Sequence, residues 1–424
     1  MPDPGLTHVT TVPDSLGFFR GQVDYMQERG FTVRAITSPG PDLRRFAAEL
    51  HIGITAVEMP RRITPLTDVV AVRAMRRLLH QHRPAIVHAH TPKGGLLGLI
   101  AARSAAIPVR IYHMRGLPFT TARGWRRALL RQTERLSCRL ATQVLCVSES
   151  VRAVAVADRL CDPARITVLG RGSGNGVDAA GQFNPDAFGP EARRETRASL
   201  GIREDALVVA FVGRIVRDKG VPELVEAWRS IREANERAHL LVIGPFEPKD
   251  PIPAETARAI RADPRVHLVG TTWEMPRWYA ATDVVVLPTH REGFPNVVLE
   301  AGAMRLPVVA TRVTGCVDAV EDGWTGILVP AGQAHPLASA IQTYLSDPAL
   351  RRRHGAAGRR RVLTHFRPEA VWQALYLEYL RLLDQAGWAR GAPPGMRAAP
   401  RFLSTSSGSR RSGERTPERR SGCS

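Results

Sequence analysis

Short β-branched apolar runs recur along this chain with helical segments between them, and the series stops and then starts again. The first series predicts strands at 7–12, 31–37, 85–89, 109–112, 144–147 and 165–169, with helical spacing over 20–29 and 69–82. The second predicts strands at 206–212, 240–243, 266–269, 283–287, 307–310 and 326–329. Runs this short, apolar throughout and separated by helices, are the mark of parallel sheets covered on both faces. Between the series lies Gly170-Arg-Gly-Ser-Gly-Asn-Gly176, whose glycines alternate. That pattern lacks the Gly-x-Gly-x-x-Gly spacing of a dinucleotide loop and reads as a linker or hinge. The expected fold is therefore α/β, with two Rossmann-like, doubly wound parallel-sheet domains facing a central cleft. Ligands of such sheets sit outside the carboxyl ends of the strands. The expected division is 1–182, 183–366, a helical segment 367–390 with the stripe Val371, Leu375, Tyr379 and Leu382, and a tail 391–424.

A net charge of +19 requires an account. The tail holds seven Arg and two Glu in a Gly/Ser/Pro-rich setting that cannot build a core, so it is expected to be disordered and explains +5. Within the remainder, Arg123, Arg127, Arg131, Arg135 and Arg139 recur every four residues beside Trp125, Leu129, Leu136 and Leu140. Such a basic amphipathic helix suits an anionic membrane surface or a diphosphate-bearing ligand; its bland counterpart is a solvated Arg face. No zinc finger, RNA-binding signature or aromatic interleaving supports a nucleic-acid partner. No window offers the roughly 18 apolar residues of a spanning helix. The start, Met1-Pro-Asp-Pro-Gly5, has no basic, apolar leader, and five scattered cysteines without a Cys-x-x-Cys pair fit a reducing cytosol.

The loops after the strands carry the chemistry. Glu292-Gly-Phe-Pro-Asn-Val-Val-Leu-Glu300 runs from the end of one predicted strand into a helix, with two carboxylates eight positions apart. Amides at the helix start, around Asn296 and Val297, form a site for phosphate. Gly213-Arg214 and Asp218-Lys219-Gly220 follow another strand, and Arg214 with Lys219 offers a fork and a point charge for a diphosphate. The first domain contributes Ser15, Phe19 and Arg20; His90, Thr91 and Lys93; and His113, Met114 and Arg115. Each pattern alone is equally an ordinary charged surface or a structural histidine. They gain meaning from sharing the same predicted sheet edges.

Taken together, these residues resemble the family 4 glycosyltransferases, retaining enzymes of the two-domain GT-B fold. The resemblance covers about residues 7–385 and rests on Glu292 and Glu300, on Arg214 with Lys219-Gly220, and on Asn175-Gly-Val-Asp178. His88-Ala-His-Thr-Pro-Lys93 and His113-Met-Arg-Gly-Leu-Pro-Phe119 look like a bacterial branch that builds capsule, exopolysaccharide or O-antigen on a polyprenyl-diphosphate carrier. The resemblance implies that the first domain takes the acceptor, through Arg20, Lys93 and Arg115, and the second the nucleotide-sugar donor. Glu292, His113, Arg214 and Lys219 would be catalytic. Gly293, Phe294, Pro295, Asn296 and Val297 would orient donor sugar and phosphates, with Glu300 on the ribose. It further implies UDP as the carrier nucleotide, a terminal helix crossing back to the first domain, and a cytoplasmic enzyme on the inner face of the plasma membrane. No Asp-x-Asp pair occurs, so neither metal nor other cofactor is expected. A sugar-nucleotide epimerase or hydrolase, and a non-catalytic sugar-nucleotide binding protein, are the alternatives. Relatives commonly have Met at Gly302 and Gly at Arg305, two departures from the pattern.

Overall fold

In a computed structural model, residues 3–60, 62–248 and 250–388 are described. The expected tail 391–424 lies outside them. The first sheet holds β1 (Gly5–Val9), β2 (Thr32–Thr37), β3 (Gly53–Ala56), β4 (Ile86–His90), β5 (Val109–Met114), β6 (Gln143–Cys146) and β7 (Ile166–Val168). Its order is β3-β2-β1-β4-β5-β6-β7 and every pairing is parallel. The second holds β8 (Leu207–Val212), β9 (Ala238–Ile243), β10 (Val266–Gly270), β11 (Val284–Leu287), β12 (Val308–Thr311) and β13 (Gly326–Val329), again parallel, in the order β10-β9-β8-β11-β12-β13. Both chains of strands reverse direction of growth at one place, between β1 and β4 and between β8 and β11. Diverging loops open a crevice there, so the topology alone selects where a ligand sits.

Three elements depart from the sequence reading. β3 and the helix Leu43–Leu50 before it were not expected; Gly53-Ile-Thr-Ala56 is four residues long, sits at the sheet edge and buries no side chain fully, so it carries no apolar run. β1 spans Gly5–Val9 rather than 7–12, because Thr10 to Val12 already turn toward the crevice. Close helix–sheet packing explains the glycines of Pro92–Ser104: a Cβ on Gly95 would run into the Tyr112 ring, and one on Gly98 would press on Val9. The segment Gly170–Gly176 is packed rather than loose. Ser173 donates its amide to Val147 O (2.8 Å) and Val177 to Phe366 O (2.8 Å), while Gly170, Gly172, Ser173 and Gly176 all take positive φ. That backbone course is the reason for the alternating glycines.

The terminal helix Pro368–Gln385 lies on the first sheet, where Leu375, Tyr379, Leu382 and Leu383 share a core with Leu6, Val33 and Ile111. Each such side chain contributes roughly 1.5–3 kcal/mol by leaving water. The basic helix spans Gly124–Leu140, and its arginines divide into two groups. Arg131 and Arg135 donate to Asp158 O and Arg159 O (3.0 and 3.1 Å), satisfying carbonyls left over at the end of helix Glu149–Ala157. Arg123, Arg127 and Arg139 stay exposed, as do Trp125, Leu129 and Leu136. Of the expected apolar stripe, Trp125, Leu129 and Leu136 therefore face outward while Leu140 packs against the core, and the buried positions are Glu134, Ser137 and Cys138.

Glu134 is buried and accepts 2.7 Å from the Tyr112 hydroxyl, which fastens this helix to β5. Burial pushes its carboxyl up to about 7. A carboxyl raised on folding favours the folded state below its unfolded value, and that contribution is lost as pH climbs through about 7. Glu134→Gln keeps the acceptor and removes the ionisation. It is expected to gain on the order of 2 kcal/mol over wild type at pH 8 relative to pH 5, measured by urea unfolding at both pH values.

Candidate functional site

In the second domain the loops after β8 and β11 are stitched to each other. Gly220 has φ 70°, and a Cβ there would collide with Pro288 O, so the turn Arg217–Lys219 lies directly against the loop that follows β11. Thr289 Oγ1 donates to Asp218 O at 3.1 Å, and His290 N donates to the same oxygen at 2.9 Å. The consequence is that Lys219 Nζ forms an ion pair with Glu292, both mostly buried. Arg214 does not join them. It is half-exposed and lies 3.7 Å from Glu247, so in this structure the two cations expected to share a diphosphate hold separate carboxylates. Both partners sit at the β8–β11 switch point.

The helix Asn296–Ala303 starts on Pro295 and places Asn296 and Val297 in its first turn, where amides have no helical carbonyl ahead of them. Phe294 turns inward, its ring tilted against that of Phe366 with centroids 5.4 Å apart, so its side chain packs against the core. Glu300 accepts 2.8 Å from the Tyr279 hydroxyl, and burial raises its pKa above the usual carboxylate value. Sequence reasoning missed Tyr279, whose only signal is its place in the helix before β11. Arg305, just past the helix end, takes the left-handed φ of 59° and is held by a two-pronged pair with Asp186 at 2.6 and 3.0 Å. A Cβ on Gly302 would sit 3.3 Å from the backbone of Gly358, so helix Pro348–His365 packs closely against this one.

From the first domain, His113 stands near the end of β5, and the following loop meets the loop after β11 backbone to backbone. A Cβ on Gly293 would overlap the Arg115 carbonyl. Ser148 Oγ donates to Gly293 O at 2.8 Å. Around this point Gly315 N donates to Ser150 Oγ (2.7 Å), Ser150 bonds Asp318, and Arg291 reaches both Thr121 (2.9 Å) and Asp218 (2.9 Å). The loop that follows His113 is thus tied to the loop that carries Glu292.

The three basic residues expected to meet an acceptor are already engaged. Arg20 pairs with Glu49 at 2.6 Å and lies over Trp273 of the second domain at 5.8 Å. Lys93 pairs with Asp68 at 2.7 Å and pins the segment before helix Pro65–His82. Arg115 is held behind the cleft, with Nε 3.3 Å from His90 Nδ1 and its pKa pushed down to about 10 by burial. The open volume lies nearby instead. A cavity of about 730 Å³ separates Arg62, Arg126, Leu129 and Leu130 from Arg214 and Glu247.

Behind His113 stands a buried set of imidazoles: His8 on β1, and His88 and His90 on β4. His8 faces His88, and His90 faces His113, as register partners. Burial first, and then the neighbouring charges, lowers every one of these pKa values, His8 to about 3, so the rings are neutral. His8, His88 and His90 each offer a nitrogen within 4.8 Å of the others. They do not fit a cation: His8 and His90 already share a 3.0 Å bond, Arg115 directs its charge into His90, and His88 stacks on His90 at 4.1 Å instead of converging with it.

Two parallel sheets whose switch points face each other across a cleft, with a Lys–Glu pair on one wall and a histidine on the other, are the GT-B architecture of the glycosyltransferases. Two family descriptions match, "Glycosyl transferase 4-like domain" over residues 18–172 and "Glycosyl transferases group 1" over residues 206–347. The capsular polysaccharide biosynthesis glycosyltransferase CapM of Staphylococcus aureus is 33% identical over 387 residues, covering 91% of this chain and 99% of its own. The Escherichia coli UDP-Gal:alpha-D-GlcNAc-diphosphoundecaprenol alpha-1,3-galactosyltransferase is 26% identical over 351 residues, 81% and 89% of the two chains. The crystal structure of Anabaena HepE in complex with UDP has the same fold, with a TM-score of 0.73 at 18% identity over 89% of this chain and 99% of that one. This chain belongs to the family 4, or group 1, glycosyltransferases.

Gly293 supplies a direct check on the cleft. Gly293→Ala must push the Arg115 loop away, and a displacement of about 1 Å at such a site costs about 100-fold in turnover. Nucleotide affinity is expected to change less than threefold by calorimetry.

Proposed function

We propose that this enzyme transfers a sugar from a UDP-sugar, with retention at the anomeric carbon, to a hydroxyl of a glycan growing on a polyprenyl-diphosphate carrier during synthesis of capsule or a related surface polysaccharide. The observation that carries this reading is the Lys219–Glu292 pair at the β8–β11 switch point, facing His113 across the Gly293 contact. The similarity to CapM and to the E. coli galactosyltransferase supports the glycan and carrier, and the UDP complex of HepE supports the nucleotide.

Without donor, Lys219 and Glu292 neutralise each other. When donor binds, Lys219 Nζ and the Arg214 guanidinium take the diphosphate, stabilising charge as it leaves. Glu292 is then released to accept from sugar hydroxyls. Amides of Phe294 to Val297 orient the phosphates, and Glu300, held by Tyr279, accepts from the ribose. The bond from the anomeric carbon to phosphate breaks, the acceptor oxygen attacks on the same face, and its proton passes to the departing phosphate oxygen. Arg214, Lys219 and the helix start supply the positive charge a metal would supply, so turnover should survive EDTA. A donor screen with lipid-extracted acceptor tests the whole reading. UDP-sugar turnover with a retained anomeric signal by NMR is expected, Glu292→Gln should lose about 100-fold in turnover with little change in UDP affinity, and Arg214→Ala should weaken UDP about tenfold. Acceptor-independent product, or inversion, would contradict it.

The same reading places the enzyme at the cytoplasmic face of the membrane. Among the described residues no helix is long and apolar enough to cross it. Trp125 (70%), Ile63, Leu66 (86%) and Val70 are exposed, as are Arg123, Arg126, Arg127 and Arg73 on the same two segments, a composition that suits docking on anionic lipid. Sedimentation with phosphatidylglycerol vesicles is expected at low salt, with loss in 0.5 M salt, a screening length of about 4 Å. Trp125→Ala should weaken it.

A further inference from the structure

What His113 offers the cleft depends on the groups behind it. His113 Nδ1 lies 3.1 Å from His88 Nε2, and His88 Nδ1 lies 2.6 Å from the Tyr379 hydroxyl on the terminal helix. Each of these contacts holds a single proton, so the chain of three groups has two consistent directions. In one, the Tyr379 hydroxyl donates to His88 Nδ1, His88 Nε2–H donates to His113 Nδ1, and His113 carries its own proton on Nε2. In the other, every bond reverses, His113 carries its proton on Nδ1, and the Tyr379 hydrogen needs a second acceptor. Tyr379 is fully buried, and among the described residues His88 is the one hydrogen-bond partner of its hydroxyl. Burying a donor with nothing to receive it is costly, whereas an oxygen lone pair left unfilled is tolerated more often. The first direction therefore wins.

A parallel chain has its direction fixed outright. A guanidinium has no acceptor, so Arg115 Nε–H donates to His90 Nδ1, and His90 Nε2–H then donates to His8 Nδ1. The two chains stack on each other, with His88 and His90 ring centroids 4.1 Å apart. A second positive charge in this stack would stand against Arg115, which keeps the imidazoles neutral and their tautomers meaningful.

We propose that Tyr379 and His88 are positioning residues that lock His113 as its Nε2–H tautomer, so that His113 meets the transferred sugar as a hydrogen-bond donor and never as a base. The role rests on the cleft assignment of His113 made above. It also gives the terminal helix a purpose beyond packing, since the donor state of a residue on β5 is set by a hydroxyl 266 positions further along the chain.

The test is ¹⁵N NMR of histidine-labelled full-length protein, with the His113 signals assigned by their loss in His113→Asn. Wild type should show a protonated Nε2 and a bare Nδ1. Tyr379→Phe and His88→Leu should shift His113 toward the other tautomer and lower kcat about tenfold at unchanged donor KM. His88→Gln, whose amide N–H can stand in for Nε2–H, should restore both. A His113 protonated on Nδ1 in wild type, or a tautomer indifferent to both variants, would overturn the proposal. Full turnover in His113→Ala alongside the expected tautomer shifts would instead remove the cleft role of His113 and leave the relay standing.

Discussion

Gly293 and the carbonyl of Arg115 approach each other so closely that no side chain fits between them, and the geometry of the cleft depends on that contact. It joins the loop after β11, which carries Glu292, to the loop after β5, the strand that carries His113. Backbone-to-backbone contact leaves little room for adjustment, because neither partner has rotamers to change. The surrounding bonds, Ser148 to Gly293 and Arg291 to Thr121 and Asp218, hold the same approach from either side. These contacts fix how the two sheet edges meet.

The charge distribution follows from the closure. Lys219 and Glu292 are mostly buried, and a lone buried charge is expensive, so each serves as the other's partner. Arg214 stays at the mouth of the cleft beside the large cavity, where a guanidinium on a long stem can swing inward at little cost. The basic helix lines that cavity with Arg126 and Leu129 and turns Trp125 outward. One element therefore borders both the cavity and the exposed Trp125.

The sheets were legible because strands of a parallel sheet favour short runs rich in apolar and β-branched residues, and twelve of the thirteen coincide with such a run in the sequence. β3 does not, since an exposed edge strand of Gly-Ile-Thr-Ala is under no such demand. Glu292 and Lys219 were legible as neighbours through the rule that ligands lie beyond strand ends, which needs only strand positions. The finer pairings were not. Tyr279 with Glu300, Arg131 and Arg135 on the carbonyls of Asp158 and Arg159, and His88 with Tyr379 are contacts between distant segments, and local patterns carry no record of them. His88 and His90 did leave a trace: two histidines at period two inside a buried strand share one face, which calls for a polar network there.

Hydrogen exchange followed by mass spectrometry, with and without UDP-sugar, addresses the central claim that one ligand bridges both strand edges. Protection is expected together in 213–220, 292–300 and 113–117. Protection confined to the second domain, or absent from 292–300, would contradict a donor site completed across the cleft.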